Sequence, residues 1–124
     1  MTGRLLLGLG SLVRLAVGVG YLTNPEAMAR RGLAPDIRGD PDGRMSTRGF
    51  GALHTGIAVA TLRAAARNKS CRELAVLNLG CALGDTAATL LERRARGEWE
   101  PVVLGSVPVD VVDVAWWTNA LRHI

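Results

Sequence analysis

The sequence predicts an all-α fold: an antiparallel four-helix transmembrane bundle with a short interfacial helix between its first and second long helices. Three observations predict it. Hydrophobic residues make up 48 % of the 124 residues but aromatics only 4 %, so the apolar mass is Leu, Val and Ala diluted by 15 Gly. Few apolar/polar alternations of period two are present, which argues against a sheet. The apolar residues fall into four runs separated by Arg-rich polar connectors, and in runs one, three and four no charged face recurs on the period of 3.6. A chain this small cannot bury four helices that are apolar all round, so lipid is expected to cover them.

The elements follow in order. "LLLGLGSLVRLAVGVGYLT" predicts a first helix over 5–23, broken only by Arg14. "NPEAMARRGL" predicts a short helix capped by Asn24, with Pro25 in its first turn, Gly32 behind it and Arg30 and Arg31 facing lipid headgroups. "APDIRGDPDGR" is expected to be an irregular loop, its D-x-D-G a turn rather than part of a calcium loop, since the closing Glu is missing. "GFGALHTGIAVATL" is short for a span. It reaches membrane length over 48–66 if Arg48 and Arg63 snorkel. "LAVLNLGCALGDTAATLL" gives the third long helix, 74–92, with Asn78, Asp85 and a Gly80/Gly84 pair of low specificity. Pro101 opens the fourth, 101–121, which holds Asp110 and Asp113 in "SVPVDVVDVAWWTNAL". Together these form one membrane domain, 1–124, multi-pass in the cytoplasmic (inner) membrane.

Charge sharpens the picture. Fourteen of the fifteen basic residues are Arg, Lys69 being the exception, which with the Ala, Gly and Val excess resembles a GC-rich bacterial coding bias. The net charge of +4 conceals an interior set: Arg14, Asp85, Asp110 and Asp113 sum to −2 and leave +6 for the surface. Basic residues stand at the ends of the apolar runs, where headgroups lie. They are not interleaved with aromatics, which excludes a nucleic-acid partner. Six basic residues on the N-terminal side against eight on the other leave the orientation open. Cys71 and Cys81, ten apart with no CxxC, are expected to be unpaired.

Residues at i, i+3, i+4 and i+7 share a helix face. Ser11, Arg14, Gly18 and Tyr21 form one stripe; Gly51, His54, Ala58 and Thr61 a second; Asn78, Cys81, Asp85, Ala88 and Glu92 a third; Ser106, Asp110, Asp113 and Trp117 a fourth. Ionisable groups at membrane depth face the bundle interior, so the stripes should meet there. At ~1.5 Å rise per residue, Arg14, His54, Asp85, Asp110 and Asp113 span only about 8 Å of depth.

One Arg against three Asp, with a His beside them, exceeds what a structural pair needs. The surplus calls for a proton on one carboxyl, or a bound cation or cationic ligand. A protonated acid beside a carboxylate held by Arg is the arrangement of general acid–base catalysis. Asp85 or Asp113 is then the donor, Asp110, steadied by Arg14, the acceptor, and His54 a relay. Trp117, Asn78 and Arg48 are the candidates to contact a lipid-soluble small molecule undergoing isomerisation, epoxide opening or cyclisation, as in an isomerase or cyclase. No phosphate loop, HExxH or nucleophile elbow is present, and two His are too few for haem or zinc, so no cofactor and no metal is expected. Trp116 is assigned to an interfacial belt. Two alternatives stand beside this: a non-catalytic scaffold or accessory subunit of a larger membrane complex, with Arg14 paired to Asp110 or Asp85 as interhelical glue, and a proton or cation conduit formed by a homo-oligomer.

The apolar first helix, "NPEAMARRGL", the Arg-flanked "RGFGALHTGIAVATL" and a third helix bearing Asp85 resemble the small four-helix bacterial membrane proteins grouped around the DoxX-like families. The resemblance covers most of the length. It implies a four-helix integral membrane fold more than any activity, and no catalytic residue follows from it.

Overall fold

The computed structural model describes residues 3–31, 37–67, 71–97 and 101–124, and everything described is helix or connector. Five helices follow one another: α1 (Gly3–Thr23), α2 (Pro25–Arg30), α3 (Pro41–Ala66), α4 (Arg72–Arg96) and α5 (Pro101–Arg122). The expected all-α architecture and the short helix after α1 are therefore present. Gly32, the expected stop behind α2, lies outside the described residues.

Local chemistry explains the ends. The Asn24 side chain accepts from the Ala27 N–H at 3.1 Å, with Pro25 in the first turn of α2. The start of α3 corrects the expectation of a loop as far as Arg44. Asp40 of the D-x-D-G caps the helix, its Oδ1 accepting from Asp42 N at 3.1 Å and Gly43 N at 3.0 Å, and Pro41 supplies a helical φ. The apparent fragment of a calcium loop is an N-cap. Asp40→Ala should cost about 1 kcal/mol in thermal unfolding, and Asp40→Ser should restore most of it. Helix α4 runs past residue 92 because no breaker intervenes before Gly97, which takes the left-handed conformation (φ 76°) that ends it.

The helices pair unequally. The largest interface joins α1 to α3, the next α4 to α5; a smaller one joins α1 to α5, and α3 barely touches α4. Residue numbers rise along α1 as they fall along both partners. Gly3 meets His123, Gly10 meets Trp116 and Arg14 meets Asp113, while Gly18 meets Thr55 and Gly51 meets Leu22. The close approaches rest on glycine: a Cβ on Gly10 would sit 2.5 Å from Trp116 Nε1, and one on Gly18 2.8 Å from the Thr55 backbone N. Gly80 and Gly84 have open space around them, so the GxxxG of α4 packs against nothing described. Gly80→Ala should accordingly raise stability by about 0.5–1 kcal/mol, measured by thermal unfolding, since only backbone entropy changes.

The interior mixes apolar and polar groups, and many large apolar side chains are left outside. Its core cluster is Leu6, Leu7, Cys71, Ala75, Ala82, Trp117 and Ala120, gathered where α1 and α4 begin and α5 ends. Met28, Ile37, Ile57 and Ala58 are buried outside that cluster, and the buried polar residues are Ser11, Arg14, His54, Thr61, Asn78 and Asp110. Leu12, Leu53, Leu83 and Val112, one on each long helix, are more than half exposed. Among the described residues, two helices are long and apolar enough to cross a membrane: Gly3–Thr23 and the segment Arg72–Ala95, of which only 28 % and 17 % of the apolar window is buried. The expectation was four such helices. By composition α3 falls short because its apolar run holds His54, Arg63 and three glycines, and α5 because its apolar run carries Asp110 and Asp113.

Candidate functional site

Each predicted stripe turns at least partly inward. Ser11, Arg14 and Gly18 are buried on α1, and Gly51, His54, Ala58 and Thr61 on α3. On α4 Asn78 is fully buried while Cys81 and Asp85 are partly so; on α5 Asp110 and Trp117 are buried and Ser106 and Asp113 partly so. Lining the interior with these residues leaves the leucines and valines between them outside. Neither Cys71 nor Cys81 forms a disulfide.

Arg14 is the centre. Its Nη2 donates to Asp113 Oδ2 at 2.9 Å, an ion pair whose side chains are 5 % and 34 % exposed. Trp117 Nε1 donates to the other carboxylate oxygen, Asp113 Oδ1, at 2.6 Å, and the Arg14 guanidinium carbon lies 5.5 Å from the Trp117 ring centroid. This three-residue frame corrects the sequence expectation in two respects. The partner of Arg14 is Asp113, not Asp110 or Asp85. Asp113, with both oxygens engaged, is consequently an acceptor fixed in place, and the carboxylates left over are Asp110 and Asp85. The reason is helical phase: Asp113 lies one turn before Trp117 and level with Arg14, so a single side chain satisfies both donors.

Asp85 lies within electrostatic reach of Arg14, Asp113 and Asp110, and His54 within reach of Arg14. The five ionisable residues thus form one neighbourhood drawn from four helices. They do not converge as metal ligands would; among the described residues no three His, Cys, Asp or Glu side chains do. His54 stacks on Phe50, ring centroids 4.0 Å apart, and Phe50 meets the edge of Tyr21 at 5.3 Å. Tyr21 in turn lies within reach of Asp85. Phe50 carries no signal in the sequence beyond its i, i+4 spacing to His54.

Asn78 serves the α3–α4 seam. Its Nδ2 donates to Thr61 Oγ1 at 3.0 Å and to the Leu74 carbonyl at 2.7 Å, while Thr61 donates to the Ile57 carbonyl at 2.8 Å. Trp116, expected in an interfacial belt, instead donates through Nε1 to the Leu6 carbonyl at 2.9 Å, because Gly10 lets the indole lie against α1. Arg48 is not brought to the cluster. It is exposed and lines a separate cleft between the end of α1, α2 and the start of α3.

Buried polar atoms without a hydrogen-bond partner include Ser11 Oγ, Arg14 Nη1, Thr55 Oγ1 and Asn78 Oδ1. An unsatisfied buried group costs about 1–3 kcal/mol, and the unpartnered Arg14 Nη1 is the donor that stands among the aspartates. The interface between α3 and α4 is small, and Asp113 and Asp85 are both only partly covered.

Comparison with protein-family profiles, with curated proteins and with solved structures finds no match for this chain.

Proposed function

We propose that this chain is an integral membrane protein, an antiparallel four-helix bundle crossing the bilayer, whose interior Arg14–aspartate cluster binds a lipid-soluble small molecule and moves protons on it without a cofactor. The membrane part rests on the distribution of side chains: Arg14, His54, Asn78 and Asp110 in the interior, and exposed Leu and Val on all four long helices. Such a surface is costly in water and neutral in hydrocarbon. The architecture-level resemblance to the DoxX-like membrane proteins agrees with it.

One observation carries the catalytic part. Arg14 spends one Nη on Asp113 and keeps the other buried and unpartnered, with two further aspartates in the same neighbourhood. In that arrangement Arg14 Nη1 donates to an oxygen of the substrate. Asp85 and Asp110, which the frame does not use, give and take the proton, and the molecule enters from the bilayer between α3 and α4. Isomerisation, epoxide opening and cyclisation need nothing more than this.

The test uses the protein in nanodiscs in deuterated buffer with a bacterial total lipid extract. The expected result is deuterium entering carbon positions of a lipid-soluble compound, detected by mass spectrometry, and its loss in Asp85→Asn or Asp110→Asn. Exchange no faster than in empty nanodiscs, or unaltered in both variants, would leave the scaffold reading. That reading draws on the Asn78–Thr61 and Trp116–Leu6 bonds, which tie helices together. It predicts that the same two variants lower thermal stability and change nothing else.

A further inference from the structure

The cleft that holds Arg48 is independent of the interior cluster. It encloses about 630 Å³ between the C-terminal end of α1, the short helix α2 and the first turns of α3, and its wall is mostly polar. Thr23, Asn24, Glu26, Arg44, Met45 and Arg48 line it. Several of these groups are already committed. Thr23 donates to the Val19 carbonyl at 2.7 Å, Asn24 caps α2, and Arg44 Nη1 meets Glu26 Oε1 at 3.2 Å. Arg48, one turn beyond Arg44 on the same helix, is exposed and pairs with no carboxylate among the described residues. Two guanidiniums against one carboxylate leave the cleft at +1.

Position narrows the ligand. The cleft opens where α1, long and apolar enough to cross a membrane, comes to its end, which is headgroup depth if it crosses. Leu22, exposed on α1, directly precedes Thr23 of the cleft wall, and Met45, exposed on α3, is itself part of that wall. A ligand with its anion among the arginines and its tail leaving past Met45 and Leu22 fits these surfaces. Guanidinium groups hold phosphate oxygens in pairs, and Glu26 offers an acceptor to a neighbouring hydroxyl.

On this basis we infer that the cleft is a binding site for one anionic membrane phospholipid with a hydroxyl-bearing headgroup, of the phosphatidylglycerol type. Arg48 and Arg44 hold the phosphodiester, and Glu26 accepts from the glycerol hydroxyls. The inference rests on the membrane part of the proposed function but not on its catalytic part.

The protein in phosphatidylcholine nanodiscs, titrated with phosphatidylglycerol, tests it through native mass spectrometry of retained lipid and thermal unfolding. One phosphatidylglycerol should be retained and the melting temperature should rise. Arg48→Gln should weaken retention about tenfold, the loss of one charge-assisted contact. Because Arg48 is exposed, that variant keeps the unfolding temperature of the wild type in pure phosphatidylcholine. Glu26→Gln should narrow the preference for phosphatidylglycerol over phosphatidic acid. Equal retention of phosphatidylcholine and phosphatidylglycerol, or retention unchanged in Arg48→Gln, would overturn the site while leaving the membrane reading intact. An equal thermal shift from inorganic phosphate alone would overturn the lipid as ligand. A chain that does not enter nanodiscs would overturn both.

Discussion

Arg14→Met should destabilise the protein by about 3 kcal/mol, the low end for one member of a buried ion pair, because a third of the Asp113 side chain remains exposed. The loss has a definite cause. The substitution keeps most of the volume but leaves Asp113 with only the Trp117 N–H against its charge. Asp113→Asn added to Arg14→Met removes that stranded charge and keeps an oxygen for the indole to donate to. The double variant should therefore be more stable than Arg14→Met alone by about 2 kcal/mol, a coupling that a double-mutant cycle in detergent reads directly. If the two changes add, the pair contributes nothing to the packing of α1 on α5. If the double variant folds as the cycle expects, it should still have no activity on a small molecule, since the Arg14 donor is gone.

Gly51→Val is the second large effect. A Cβ at position 51 would lie 2.5 Å from the Leu22 backbone N, 2.7 Å from the Gly18 carbonyl oxygen and 2.8 Å from Tyr21 Cβ. Two of these atoms are backbone, so no rotamer relieves the clash and α1 must move off α3 along the largest interface in the molecule. The expected cost is about 3 kcal/mol or more, at the upper end for overpacking, with loss of the Tyr21–Phe50 edge contact. Gly56→Val is the control. It sits five residues on in the same helix, in open space, and should change stability by less than about 1 kcal/mol.

These two experiments bear on the parts of the fold that the sequence makes legible and the parts it does not. The inward stripes are legible because a helix repeats every 3.6 residues and each stripe holds a residue that hydrocarbon would not tolerate: Arg14, His54, Asn78, Asp110. The shared depth of Arg14 and Asp113 is legible by counting along the helices. Which aspartate Arg14 takes is not, because Asp110 and Asp113 are both within a long side chain's reach. The choice depends on the Trp117 N–H, a donor whose direction is fixed only by the packing of α5 against α1. The glycines divide in the same way. Gly80 and Gly84 have the spacing of a packing motif and face open space, whereas Gly10 and Gly51, without it, carry the close contacts. Spacing locates a face but not what lies opposite. The start of α3 was hidden for a local reason: Asp, Pro and Gly suit a turn and an N-cap equally, and the Asp40 side chain decides between them.

The account depends most on the claim that the apolar outer faces of all four long helices meet lipid, including α3 and α5, whose composition alone does not require it. Spin labels at Leu12, Val59, Val76 and Val112, one exposed position on each of α1, α3, α4 and α5, in a background of Cys71→Ser and Cys81→Ala, would measure this in nanodiscs. Collision with oxygen and with a water-soluble nickel complex distinguishes hydrocarbon from water at each label. The account predicts high oxygen and low nickel accessibility at all four. High nickel accessibility at Val59 and Val112 would contradict it, leaving α3 and α5 in water and only α1 and α4 to meet the membrane.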